Sequence, residues 1–219
     1  MGDMPARYEV PPGARLRVLS VSAHVEIIAD NVSAIEIEPD DRRIDISDDG
    51  HVAETRTKST NLRIRVPVGM NVSVGSVSGH VRLEGQFGSI KVSTVSGHIE
   101  VGNASGDVDV RSISGHLIVE RVDGRCRCNT KSGRIEIGWV GRETQAHTMS
   151  GNIEMGTAGV ENIELKTISG GIRVRVDRGR HPRVRLKTLS GRSRSEVEQG
   201  SDFEINARTI SGSIQVEEA

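Results

Sequence analysis

The sequence predicts an all-β protein: a right-handed parallel β-solenoid with about 18 residues and two short strands per coil, and an N-terminal β cap. Three observations support this prediction: a Ser-Gly pair that recurs at a nearly constant period, apolar residues that alternate with polar ones on both sides of each pair, and a scarcity of aromatic residues. Phe, Trp and Tyr make up 2% of the chain. The core must therefore be built from Ile, Val and Leu, which suits a coil with a thin interior.

The Ser-Gly pairs define the period of the repeat. Successive pairs are separated by 18 residues four times, and then by 19, 21 and 21. A Ser or Thr lies two positions before the serine of every pair. The pairs fall at residues 78–79, 96–97, 114–115, 132–133, 150–151, 169–170, 190–191 and 211–212.

Apolar residues alternate with polar ones before and after each pair. After Ser96-Gly97, for example, Ile99 and Val101 flank Glu100. Period-two alternation is typical of a strand with one buried face and one solvated face. The pattern occurs on both sides of the pair, so each coil is expected to carry two strands.

An antiparallel meander with a hairpin every nine residues is the rival fold. It would explain the turn residues, but not why the complete hydroxyl-x-Ser-Gly signature appears only at every second turn. Stacking of equivalent coils explains it. Glycines halfway round the coil, Gly88, Gly106 and Gly124, are expected at corners where positive φ is needed.

The first part of the chain departs from the period. A degenerate copy opens it, with Leu16 and Val18 before Ser22-Ala23 and Val25 after it, and residues 28–71 break the repeat. We expect an N-terminal first coil with capping strands over residues 1–71, and a repeat solenoid over residues 72–219 as one continuous domain. Ile214 and Val216 complete the last strand just before the chain ends. An uncapped C-terminal coil of this kind predicts a homo-oligomer.

Composition and termini limit the partners and the compartment. The net charge of −1 gives no general reason to expect nucleic-acid binding. The N-terminus lacks the apolar region of a signal peptide, and no apolar stretch is long enough for a transmembrane segment. We therefore expect a cytoplasmic protein that reaches a membrane only through a partner. Cys126 and Cys128 are expected to be small core residues.

Histidines recur at one position of the coil. His80, His98 and His116 each follow a Ser-Gly pair, and His24 occupies the same place in the degenerate copy. A stacked row of imidazoles could bind a transition metal or respond to pH. The same position is Arg134 in the next coil, so the favoured interpretation is a solvated turn, with no metal and no cofactor.

Basic residues concentrate near the C-terminus. They suggest a patch for an anionic partner or an acidic protein surface, with a solvated face as the alternative. In the same region Ser193 and Ser195 replace the apolar pair, which predicts a weakly cored coil. The basic residues are Arg173, Arg175, Arg178, Arg180, Arg183, Arg185, Lys187, Arg192 and Arg194.

Nothing in the sequence has the pattern of a catalytic site. A nucleophilic serine needs a base within hydrogen-bond reach, and a column of equivalent serines indicates repeated structure instead. The preferred hypothesis is a non-catalytic scaffold or binding module that self-associates or belongs to the cell envelope. A metal- or pH-responsive protein that uses the histidines, and a cryptic carbohydrate-active enzyme, are the alternatives.

The sequence resembles the DUF4097 family of bacterial adhesin-like β-solenoids. The matching segments are residues 22–27 (Ser-Ala-His-Val-Glu-Ile), residues 63–69 (Arg-Ile-Arg-Val-Pro-Val-Gly), residues 72–79 (Val-Ser-Val-Gly-Ser-Val-Ser-Gly) and the Ser-Gly pairs that follow. The resemblance implies a β-solenoid with a surface or envelope-associated role. Members often carry a membrane-spanning segment or a signal sequence, and no such segment is found in this sequence.

Overall fold

A computed structural model describes residues 5–39, 43–156 and 161–219. The regular structure of these residues is entirely β, in two sheets. The twelve-stranded sheet contains, in spatial order, β1 (Ala6–Tyr8), β4 (Ile35–Glu38), β7 (Leu62–Pro67), β3 (Val25–Asp30), β9 (Val81–Phe87), β11 (Ile99–Ala104), β13 (Leu117–Val122), β15 (Ile135–Val140), β17 (Ile153–Met155), β19 (Ile172–Val176), β23 (Ile214–Glu218) and β21 (Ser193–Ser195). The eleven-stranded sheet contains β5 (Asp45–Ile46), β6 (Val52–Thr57), β2 (Arg15–Ser22), β8 (Asn71–Ser78), β10 (Ile90–Ser96), β12 (Val108–Arg111), β14 (Cys126–Ser132), β16 (Thr144–Ser150), β18 (Ile163–Ser169), β22 (Glu204–Ser211) and β20 (Arg183–Ser190).

Each coil contributes one strand to each sheet, and equivalent residues of adjacent coils are paired in parallel. Ile99 lies between Val81 and Leu117, and Ser96 lies opposite Ser78. The predicted parallel β-solenoid, with two strands per coil, is confirmed.

The inward residues of the two sheets form a single aliphatic core. Ile99, Leu117 and Ile135 are fully buried in consecutive coils, while the residue that follows each of them in its strand is only partly buried. A column of hydroxyls runs beside this core. The Thr94 hydroxyl, for example, donates to the carbonyl oxygen of Ser96 at 3.2 Å. Some hydroxyls of the repeat signature thus close the corner of their own coil, whereas those of Thr167, Thr188 and Thr209 donate to a glycine carbonyl oxygen of an adjacent coil.

The glycines halfway round the coil serve a different purpose from the one predicted. Gly88, Gly106 and Gly124 are not among the glycines with positive φ, so that expectation is wrong. The reason for glycine is close packing: a Cβ on Gly124 would lie 2.6 Å from the carbonyl oxygen of Gly106. Glycine permits the coils to approach at these corners.

The order of coils at the N-terminal end differs from the order in sequence. The coil of β2 and β3 is not the first in space, because it lies between the coil of β6 and β7 and the coil of β8 and β9. Strands β1, β4 and β5 pair antiparallel at this end. Most of the segment expected to cap the solenoid therefore forms the outermost coil, and only these three strands depart from the parallel arrangement.

The C-terminal end shows the same inversion. Strand β23 pairs with β19 on one side and with β21 on the other, and β22 lies between β18 and β20. The expectation that Ile214 and Val216 form the uncovered last strand is therefore wrong. The last coil in space consists of β20 and β21, which we call the open end. Its terminal position accounts for Ser193 and Ser195, which are exposed where other coils carry buried aliphatic residues.

Candidate functional site

The four predicted histidines lie in one continuous column. The ring centroids of His24 and His80 are 5.3 Å apart, those of His80 and His98 are 4.8 Å apart, and those of His98 and His116 are 5.5 Å apart. The first two pairs are stacked and the third is edge-on. In-register pairing of the coils brings together residues that are 18 or more positions apart in sequence.

The environment of the column lowers the pKa of His80. Burial lowers the pKa of His80, and the neighbouring His98 and His24 lower it further. Glu136, which the sequence did not suggest, reaches the end of the column, with its Oε1 2.9 Å from Nε2 of His116. Among the described residues, no three His, Cys, Asp or Glu side chains are grouped so as to hold a metal ion.

The two cysteines are buried, as expected for core residues. Cys126 and Cys128 are free thiols on the inward side of β14, with their Sγ atoms 3.8 Å apart. The contact with Cys126 and burial raise the pKa of the Cys128 thiol well above its usual range. A thiol held protonated in this way is a poor nucleophile and a poor metal ligand.

The nine predicted basic residues do not form one surface. Arg173, Arg175 and Arg194 lie on the twelve-stranded sheet, whereas Arg183, Arg185 and Lys187 lie on strand β20 of the other sheet. The remaining three, Arg178, Arg180 and Arg192, lie in the connections between strands. The anionic-partner patch stays a prediction, and the residues that the structure gathers are those of β20.

Carboxylates of the neighbouring coil neutralise part of this charge. Glu217 lies between the coils, with its Oε1 3.5 Å from Arg175 and 4.0 Å from Arg173. Arg185 pairs with Glu204 at 2.9 Å. Arg183, Lys187 and Arg192 of the open end form no ion pair with the described residues, and they carry its exposed positive charge.

A row of exposed apolar residues is the feature that the sequence prediction missed. Each occupies the position between the hydroxyl residue and the serine of the repeat signature, and each faces solvent. We call this set the apolar row: Val21, Val77, Val95, Ile113, Met149, Ile168, Ile210 and Leu189. The row passes along nine consecutive coils and is interrupted once, by Lys131.

The signal for this row was present in the sequence. Strict alternation makes the hydroxyl residue inward and the next residue outward, so an apolar residue at that outward position breaks the pattern. Separately, none of the described residues forms a helix long and apolar enough to cross a membrane.

Comparison with solved structures supports the fold. The chain is similar to a putative adhesin from Bacteroides fragilis NCTC 9343, with a TM-score of 0.55 and 13% sequence identity over 99% of this chain and 96% of that chain. A putative cell adhesion protein from Clostridium sporogenes ATCC 15579 has 10% identity over 98% of this chain and all of its own, but its TM-score of 0.27 is too low to support an argument. No curated protein matches the chain.

Comparison with sequence families gives a direct assignment. The profile of the family described as Toastrack DUF4097 matches residues 22–157, which is more than half of the chain. The match includes the second strand of the degenerate copy, the outermost coil and the central coils with their histidines, so the resemblance seen in the sequence is confirmed. This chain belongs to the Toastrack DUF4097 family.

Proposed function

We propose that this protein is a non-catalytic binding module, a β-solenoid whose open end accepts one further strand from an acidic partner. A single observation carries the proposal: among the residues that the structure describes, β20 and β21 are each paired with a strand on one side only. The inward residues of β20, Val184 and Leu186, are half-buried, whereas their equivalents in the preceding coil, Ile205 and Ala207, are fully buried.

The backbone of β20 is oriented to receive a strand. In the interior coils the residue equivalent to Val184 donates its N–H to the next coil, as Cys126 does to the carbonyl oxygen of Glu143 at 2.9 Å. Val184 has no next coil, and its N–H donates instead to Oε1 of Gln199 at 3.1 Å. Two residues on, the N–H of Leu186 points the same way, because backbone groups alternate along a strand. Such an edge is a template for strand addition.

Charge selects the kind of strand. Arg183, Arg185 and Lys187 stand at alternate positions on the outward side of β20. An added strand with carboxylates at alternate positions would place opposite charges side by side, which favours binding. A second copy that paired its own β20 there would oppose like charges. Self-association through the open end is therefore expected to be weak at low salt and to strengthen as salt screens the repulsion.

A pair of designed peptides tests the proposal. The probes are a fluorescent eight-residue peptide of alternating Glu and Val, and its counterpart of alternating Lys and Val, with binding followed by fluorescence anisotropy. We expect saturable binding of the Glu peptide alone. Leu186→Pro removes the edge N–H and should abolish binding, while Leu186→Ala, which truncates the same side chain but retains the N–H, should preserve it.

Two results would contradict the proposal. Equal binding of the Glu and Lys peptides would exclude selection by charge, and equal binding by Leu186→Pro and Leu186→Ala would exclude strand addition at β20. Sedimentation of the protein over a concentration series, at low and high salt, tests the self-association separately. Dimers that weaken as salt is added would show that copies meet through other surfaces.

A further inference from the structure

The apolar row is too exposed to be ordinary surface. Leu189 exposes 84% of its surface and the other seven residues expose between 43% and 52%. They form two runs of four residues on adjacent coils, one on each side of Lys131, whereas apolar residues on an ordinary protein surface are mostly scattered singly. Apolar exposure of this extent indicates a surface that contacts a binding partner when the protein functions.

The position of the row makes it a ridge. Each residue lies at the corner of its coil, between a buried hydroxyl and the Ser-Gly turn, as Val95 lies between Thr94 and Ser96. The serines beside it are in register from coil to coil, so members of the row in adjacent coils are neighbours. At about 4.8 Å per strand, it extends roughly 40 Å from Val21 to Leu189. A narrow ridge can lie along a flat partner surface, whereas a cavity would accept a small ligand.

Cations accompany the row on the same sheet. Ten coils have a residue at the position of the row, which is Lys58 or Lys131 in the two coils without an apolar residue there. The outward residue two positions earlier in the strand is not a carboxylate in any of these ten coils. In five coils it is basic: Arg56, Arg111, Lys166, Arg208 and Lys187. Three of these five pair with Glu54, Asp109 or Glu164 on the side away from the row.

The remaining cations are available to a partner. Lys187, Arg208 and the row's own Lys131 form no ion pair within the described part of the chain. The opposite sheet carries outward charges of both signs, with Glu100 beside Arg82 and Glu154 beside Arg173. A second copy that packed its own apolar row against this one would oppose cation to cation. The partner must therefore combine negative charge with an apolar layer beneath it.

We propose that the apolar row and its flanking cations dock the solenoid lengthwise on an anionic lipid bilayer. Aliphatic side chains enter the boundary between headgroups and acyl chains, and Lys and Arg side chains contact anionic headgroups. Lys131 is compatible with this arrangement, since a long cationic side chain extends along the apolar surface to the headgroups.

One end of the row provides a place for lipid. An open depression of about 610 Å³ there is lined by Leu19 and Val21 together with Lys58 and Thr60. An aliphatic floor with a cation at its rim matches the junction of an acyl chain and an anionic headgroup. The inference concerns the side of the solenoid and is independent of strand addition at the open end.

Vesicle co-sedimentation tests the docking. The full chain is mixed with vesicles of phosphatidylcholine containing 30% phosphatidylglycerol, with vesicles of phosphatidylcholine alone, and with polyphosphate as a lipid-free polyanion. We expect binding to the anionic vesicles, decreasing with salt, and at least about tenfold weaker partitioning to neutral vesicles.

Substitutions separate the contribution of the row from that of charge. The triple change Val95→Asn, Ile113→Asn, Ile168→Asn removes apolar surface without altering charge and should weaken vesicle binding about tenfold or more. Val68→Asn is the matched control, because Val68 is 57% exposed but lies outside the row. Melting temperatures confirm that each variant is folded. Unchanged vesicle binding by the folded triple variant, or binding to polyphosphate as tight as to anionic vesicles, would overturn the proposal.

Discussion

Gly97 lies directly against Gly79 of the adjacent coil: a Cβ on Gly97 would stand 2.0 Å from the carbonyl oxygen of Gly79. The same contact recurs along the ladder, where a Cβ on Gly133 would stand 1.8 Å from the carbonyl oxygen of Gly115. Gly97 also has a φ of 141°, which residues with a Cβ rarely adopt. Gly97 is thus favoured by both the spacing of the coils and the conformation of the corner, although the degenerate copy carries Ala23 at the equivalent position.

Gly97→Ala is predicted to separate the coils and to destabilise the protein by about 3 kcal/mol or more. Gly179→Ala is the matched control, because Gly179 has a φ of 75° and open space where the Cβ would go. Gly179→Ala should lower the free energy of unfolding only by the cost of placing a residue with a Cβ at positive φ, about 1–2 kcal/mol. Chemical denaturation of both variants measures the difference. Equal losses of unfolding free energy in the two variants would show that the close approach of the coils at Gly97 adds nothing to the cost of the substitution.

Ile99→Asp is predicted to destabilise the solenoid by about 4 kcal/mol or more, because it places a carboxylate in the aliphatic core. Ile99 is fully buried in β11, between Val81 and Leu117. Ile113→Asp is the control, since Ile113 faces solvent one coil away, and it should melt close to the parent protein. An Ile99→Asp variant with the parent melting temperature would remove position 99 from the core.

The interior of the solenoid could be predicted from the sequence because its coils are equivalent. A strict period determines both which residues are inward and which are neighbours, so the histidine column and the burial of Cys126 followed directly. The spatial order of the terminal coils could not be predicted. The period shows that coils are equivalent, but it does not determine the order in which they stack. Coils β2/β3 and β20/β21 match the repeat yet are displaced from their sequence order.

The candidate surfaces show the same limit. The basic stretch is continuous in sequence, but a solenoid sends successive strands to opposite sheets, so Arg175 and Arg185 are on different faces. The apolar row is scattered in sequence and continuous in space, and it could have been found by asking which outward positions are apolar. The period therefore predicts surfaces that are formed by equivalent residues of successive coils. It does not predict surfaces at the two ends of the solenoid, which depend on the stacking order of the terminal coils.

The final prediction concerns pH and the histidine column. Burial and the adjacent His98 and His24 lower the pKa of His80 below its ordinary value of 6.5, and burial and Lys166 lower the pKa of His147. A lowered pKa in the folded state means that the unfolded chain binds protons first as the pH falls. The contribution of these two histidines to the free energy of unfolding is therefore complete above pH 6.5 and is lost as the pH drops through their folded-state pKa values.

We expect a lower urea midpoint at pH 5.5 than at pH 7.5, with a smaller difference in the double variant His80→Gln, His147→Gln. His51→Gln, in the exposed turn before β6, should retain the difference. Asp107 and Glu164, whose pKa values are also lowered from 3.8 and 4.5, lose their stabilising charge at more acidic pH than this window. A urea midpoint that is the same at both pH values, or that is higher at pH 5.5, would show that His80 and His147 contribute no proton-linked stability.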